Sequence, residues 1–175
     1  MKPVKGQESS WKFAKVDPLE KTLQIAIFRC TVETESGKVD EIALFELITI
    51  LKERTSLISK AVALIKERIS NPSPSTCCMA MILLAELMQC SGYDLHRQVQ
   101  QAVLHEMMKL AVPCKGTHPR VQMVASTVIK GWGVAYGKDP RLVDFADAAR
   151  RLSQTYENSC PLKSIGIPFS LLDNL

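Results

Sequence analysis

The residues of this chain best suited to metal or nucleophilic chemistry are three histidines, His96, His105 and His118, and six cysteines: Cys30, Cys77, Cys78, Cys90, Cys114 and Cys160. A structural zinc site needs Cys and His at short, regular spacings, and no C-x-x-C pair occurs here. Cys77 and Cys78 are adjacent, so on a helix they diverge by roughly 100° around the axis and do not readily share one ion. Cys114 and His118, four apart, form the sole local pair. His96 has no acid or nucleophile beside it, and it reads as a histidine that bonds a neighbouring backbone carbonyl and ties two helices together. His105 and His118 read as surface and loop histidines. The chain has no Gly-rich phosphate loop, G-x-S-x-G elbow or H-E-x-x-H motif. These residues predict a protein that is not an enzyme and carries no metal or cofactor.

Two basic features remain as contact chemistry. Lys60, Lys66 and Arg68 could touch phosphoinositide headgroups, although acidic neighbours in KERT and KERIS make a solvated face the simpler reading. Trp11 and Phe13 stand in an otherwise polar arm, residues 1–16, and are possible anchors. LLDNL at 171–175 faintly resembles a clathrin-box motif; a tail docking on its own domain is the plainer reading.

The elements that position these residues are helices. From Thr76 to Cys90 only Glu86 and Gln89 are strongly polar, and apolar side chains cover every side. A helix apolar all round must be enclosed by others. It is shorter than the roughly 20 residues a bilayer span needs, so it predicts the central helix of an all-α domain, with Ser75 as its cap and Gly92 as its stop. Before it, Asp17-Pro18 starts a helix carrying Leu19, Leu23 and the stretch Ile25 to Phe28. TVETESGK at 31–38 is a turn, and Asp40 caps a second helix with Ile42, Phe45, Ile48 and Leu51 near helical spacing. A third, at about 57–70, has the inner stripe Ile58, Ala61, Val62, Ile65 and Ile69. After the central helix, one helix spans about 95–111, facing inward with Val99, Ala102, Val103, Met107 and Leu110. The next opens at Pro119 or Arg120 with the stripe Val121, Val124, Ala125, Val128, Ile129 and Trp132, and ends at Gly137. Asp139-Pro140 starts a last helix carrying Leu142, Phe145, Ala149 and Leu152, and the pattern lapses from Gln154. A helical domain at 17–153 with a C-terminal extension at 154–175, about eight helices in a stacked superhelix, is the predicted architecture. Buried, unpaired cysteine and the polar start MKPVKGQESS point to the cytoplasm. The net charge of +4 is too mild and too interleaved to predict nucleic-acid binding.

From about Lys60 to Leu142 the chain resembles a VHS domain, the N-terminal module of the Hrs, STAM, Tom and GGA sorting proteins. The residues that carry this are KERIS, the turn at Pro74, the apolar helix, CSGYDLH in place of the family's N-C-G-x-x-F-H, HPRV, and GWGVAYGKDPRL in place of W-x-x-x-F-x-x-D-P-x-L. LKSIGIPF is similar to the family's L-x-x-x-G-V-x-F-P ending. The resemblance implies a right-handed superhelix of eight helices, VHS/ENTH-like. It implies a protein-interaction module in vesicular transport, peripheral on endosomal or trans-Golgi membranes.

The resemblance also implies two candidate surfaces. Ubiquitin-binding members use a Trp in a D-W pair at the start of the second helix; here Asp40 is followed by Glu41, and Ile42, Phe45 and Glu46 occupy that face. The GGA branch reads acidic-cluster dileucine signals with basic side chains on the sixth helix. The matching stretch VQQAVLHEMMK places a sorting-signal peptide beside Arg97, Gln101, His105 and Lys109, with few charge-assisted partners for an acid. Ubiquitin ranks first because the apolar residues are retained on their face. The rival classes are an ENTH/ANTH-like phosphoinositide-binding module, which wants a more basic N-terminal helix, and a domain that binds RNA polymerase tails. The latter wants a Y-L-x-D-S segment where this chain has LAELMQCSG.

Overall fold

The computed structural model describes residues 17–32, 38–113 and 116–159, and the arm at 1–16, Cys114 and the tail carrying LLDNL lie outside them. Eight α-helices form among the described residues: α1 (Pro18–Thr31), α2 (Glu41–Glu53), α3 (Ile58–Ile69), α4 (Pro74–Cys90), α5 (Tyr93–Ala102), α6 (Leu104–Ala111), α7 (Pro119–Tyr136) and α8 (Val143–Ser159). Short 3-10 turns at Thr55–Leu57 and Pro140–Leu142 lead into α3 and α8. No strand occurs among these residues. The helices stack as an all-α superhelix in which α4 packs against α1, α2, α3 and α7. As its sequence demands, α4 buries nine side chains around its whole circumference, from Cys77 to Met88.

Local chemistry sets most boundaries. The Asp17 carboxylate accepts the Leu19 N–H at 3.0 Å before Pro18, and Asp40 accepts the Ala43 N–H at 3.0 Å. Each satisfies a donor that the first helical turn leaves without a partner. Asp139 does the same for Arg141 at 2.9 Å, but the turn it starts is 3-10, and α8 follows from Val143. The cap of α4 is Ser73 rather than Ser75: Pro74 fits the first helical position, where its missing N–H costs nothing, so the cap falls one residue before it. Gly92 does not stop α4, which ends at Cys90 with Ser91 as its C-cap; Gly92 is the extended residue that opens α5. The expected single helix at 95–111 is two, broken at Val103, where φ is −119°.

Packing selects the inner faces of three helices for which the sequence named apolar residues without assigning an inner face. On α1 the buried side chains are Leu23, Ala26, Ile27, Cys30 and Thr31, while Ile25 and Phe28 point to solvent. On α2 they are Ala43, Leu47, Ile50 and Leu51, while Ile42 and Phe45 face out. The turn Pro140–Leu142 and α8 bury Leu142, Phe145, Ala148 and Leu152. Further, α8 continues past Gln154 to Ser159, and the Tyr156 hydroxyl donates to the Ala111 carbonyl at 2.9 Å. The inner stripes of α3 and α7 follow the expected spacing; Trp132 is buried and meets Phe145 edge-on at 5.4 Å. Gly133 permits the close approach of α7 and α8: a Cβ there would overlap that of Ala149.

Candidate functional site

The first candidate surface is the outside of the α1–α2 hairpin. Its two helices are antiparallel, tied at one end by Arg29 Nη2 to Asp40 Oδ2 at 2.8 Å and at the other by Arg54 to Asp17 at 3.5 Å. The Ala43 N–H and the Arg29 guanidinium hold the Asp40 carboxyl below the ordinary carboxylate range. With Ala43 and Leu47 turned inward, the helical twist turns Ile42 and Phe45 outward, 74% and 73% exposed. Glu46 is half-buried on the α1 side. Burial, with the charges of Asp40 and Glu46, pushes the Cys30 thiol up to about 12, so that buried cysteine is a neutral core residue. On α1, Ile25 and Phe28 are exposed as well; the sequence reading placed them on this helix without assigning them a face.

The second candidate surface does not gather as expected. His105 lies in a cleft between α6 and α8, with Gln100, Leu104, Met108, Asp144 and Arg151 around it. Asp147 also lines the cleft, beside Arg150 at 2.9 Å, and Gln100 donates to Asp144 at 2.8 Å. Arg97 instead lines a separate depression with Thr55, Ser56, Ser59 and Asp94. Gln101 is exposed, and Lys109 is paired with Glu106 on its own helix at 3.2 Å. The four residues therefore contribute to different surroundings, because the break at Val103 re-aims α6 relative to α5. The two carboxylates that α8 brings to the cleft were not singled out in the sequence; only the packing of α8 on α6 makes them neighbours of His105.

The three cations considered for lipid have protein surroundings. Lys60 is ion-paired to Glu20. Arg68 donates to the Thr31 hydroxyl at 2.9 Å and lies over the Phe28 ring at 5.2 Å. Lys66 is half-buried, and its charge helps to lower the Glu106 carboxyl, chiefly held down by Lys109. His96 has the structural role its surroundings suggested: its Nε2 and the Tyr136 hydroxyl both reach the Met88 carbonyl, at 2.8 and 2.9 Å, joining the end of α4 to α5 and α7. His118, placed in a loop by its sequence, also caps α7 through Nδ1, which accepts the Arg120 N–H at 3.2 Å. Among the described residues no three His, Cys, Asp or Glu side chains converge on a metal position, and no helix is long and apolar enough to cross a membrane.

Comparison with known families places this architecture. A family model for the VHS domain matches residues 19–155, from the first turn of α1 to the last turns of α8. No curated protein matches the sequence.

Proposed function

The chain belongs to the VHS-domain family, a family of non-catalytic interaction modules in trafficking, and we propose that it binds ubiquitin through the outer face of α2. The observation that carries this reading is the exposure of Ile42 and Phe45, one helical turn apart, on a helix whose inner face is already filled. Large apolar side chains held in water are the material of a contact surface. Glu41 and Glu46 flank them and would meet cationic groups around an apolar patch on ubiquitin. Two apolar anchors without the family's Trp make a small interface, and a weak complex is expected. The place of action proposed is the cytoplasmic side of endosomal or trans-Golgi membranes, where cargo is sorted.

A sorting-signal peptide in the cleft between α6 and α8 is the second reading. His105 and Arg151 favour an acidic ligand there, whereas Asp144 and Asp147 oppose it, so ubiquitin remains the preferred partner. Titrating the ¹⁵N-labelled chain with mono-ubiquitin tests the first reading. Amide shifts should cluster on α2 and disappear in Phe45→Ala. Absence of shifts at millimolar ubiquitin would refute it, and shifts confined to α6 and α8 on addition of an acidic dileucine peptide would favour the second.

A further inference from the structure

The face of α7 that packs on α8 runs on past the described end of α8. A Cβ at Gly137 would overlap that of Ala146, and one at Gly133 that of Ala149, while the Lys130 ammonium lies over the Tyr156 ring at 5.1 Å. The two helices are therefore antiparallel. Toward the start of α7 the stripe of Gly137, Gly133 and Lys130 continues, at helical spacing, through Ser126 to Met123. Carried on from the Gly133–Ala149 contact, the same register sets Met123 opposite Ser159, the last residue described. Met123 is 61% exposed there. The chain beyond Ser159 thus leaves α8 alongside an uncovered apolar side chain.

Next to Met123, at the start of α7, lies a groove of about 550 Å³, with Ile69, Pro74, Cys77, Leu110, His118 and Val121 in its walls. Sites that hold an apolar ligand of several groups run from about 300 to 1,000 Å³. Four helix ends meet around this one, the C-terminal ends of α3 and α6 and the N-terminal ends of α4 and α7. Helix ends leave backbone C=O and N–H groups without intrahelical partners, so apolar walls stand beside both kinds of hydrogen-bonding group. An extended peptide offers apolar side chains together with both groups of its own backbone. The end of α8 is fastened at the same place, since the Tyr156 hydroxyl donates to the carbonyl of Ala111, the neighbour of Leu110.

The chain supplies a segment of matching chemistry. No Asp, Glu, Lys or Arg lines the groove, and residues 164–172, SIGIPFSLL, carry no such charge either. Six extended residues span about 20 Å, which brings Ile165 and then Ile167 and Phe169 within reach of the groove from Ser159. A segment tethered this closely is present at an effective concentration on the order of millimolar, so even a weak contact is occupied, and a foreign peptide would have to exceed that concentration.

We propose that residues 164–172 of this chain dock back into the groove between the starts of α4 and α7, Leu162 covering Met123 on the way and Ile165 and Ile167 lying against Val121 and Leu110. No residue of α1 or α2 lines this groove, so the docking stands or falls independently of the ubiquitin contact proposed above.

Methyl-resolved NMR of the full chain, ¹³C-labelled at the Ile, Leu, Val and Met methyls, tests this. Nuclear Overhauser contacts are expected from Ile165 and Ile167 to Val121 and Leu110, and from Leu162 to Met123. The double variant Ile165→Ser, Ile167→Ser should lose the groove contacts and shift the Val121 and Leu110 signals. The signals of Leu23 and Leu47, buried in α1 and α2, should stay in place and show that the variant is folded. Methyls of residues 162–172 at random-coil shifts, without contacts to the groove, overturn the proposal. Contacts to the cleft between α6 and α8 in place of this groove overturn it too. A sample mixing labelled and unlabelled chains separates contacts within one chain from contacts between two. Contacts found only between chains would make the groove an interface of two copies and refute docking within one molecule.

Discussion

Phe45 and Phe145 are the same side chain in opposite situations. Phe145 is fully buried between α8 and α7, ringed by Trp132 at 5.4 Å and Tyr136 at 5.9 Å, above the close approach that Gly133 permits. Phe45 stands on the outside of α2, 73% exposed, one turn from an equally exposed Ile42. Both sit at helical spacing among other apolar residues. The α7–α8 contact therefore uses its aromatic residues to hold the fold, and the α1–α2 hairpin leaves its own exposed. The lesson is that apolarity identifies an interface, and only packing says whether its other half belongs to the same molecule.

Alanine replacement should separate the two most sharply. Phe145→Ala should lower unfolding stability by about 3–5 kcal/mol, since a buried aromatic leaves a cavity as well as losing its transfer free energy. The urea midpoint at neutral pH measures it, and a loss below about 1 kcal/mol would mean that α8 contributes little to the core. Next in size is Gly133→Ala. The added Cβ must displace Ala149, and overpacking of this kind costs roughly 1–3 kcal/mol. No loss in the same assay would show that α7 and α8 can separate freely.

The third effect is a pH dependence at the α7–α8 end. Hydrogen bonds from the Arg141 side chain and backbone hold the Asp139 carboxyl down to about 2, against roughly 3.9 for an unperturbed aspartate. A carboxyl whose folded value is depressed contributes stability above its unfolded value and loses it as pH falls through the folded one. Stability should therefore decline between about pH 4 and 2, and Asp139→Asn should flatten that decline. Urea midpoints across this range check it; an unchanged slope would assign the acid sensitivity to other carboxylates, Asp40 first among them.

The smallest effect on stability, and the most informative, is expected at the hairpin. Phe45→Ala and Ile42→Ala should each leave the urea midpoint within about 0.5 kcal/mol of wild type, as exposed positions do. The same variants should abolish ubiquitin shifts. A large stability loss in Phe45→Ala would return that residue to the core and remove the contrast with Phe145.

The helices themselves were largely legible. Asp17-Pro18 and Asp40 announce their caps because a carboxylate before a helix has a local partner, the N–H two or three residues on, whatever the rest of the chain does. The α4 run could only be an enclosed helix, and the stripe of α3 has one possible inside. Gly92 and the break at Val103 were misjudged for the opposite reason. The interior pattern Val99, Val103, Met107 runs unbroken across a change of helix, so periodicity carried no mark of it.

The candidate surfaces were legible by half. The sequence by itself determined the helices, most of their caps, the enclosure of α4 and the motifs that place the chain in its family, since these depend on neighbours within one or two turns. The tertiary structure decided that Ile25 and Phe28 join Ile42 and Phe45 outside. It also decided that Arg97 and His105 look into different depressions, and that Asp144 and Asp147 stand beside His105. A helix with apolar residues on two sides can bury only the side its neighbours cover, and the neighbours of α1 and α2 are set by contacts far apart in the chain.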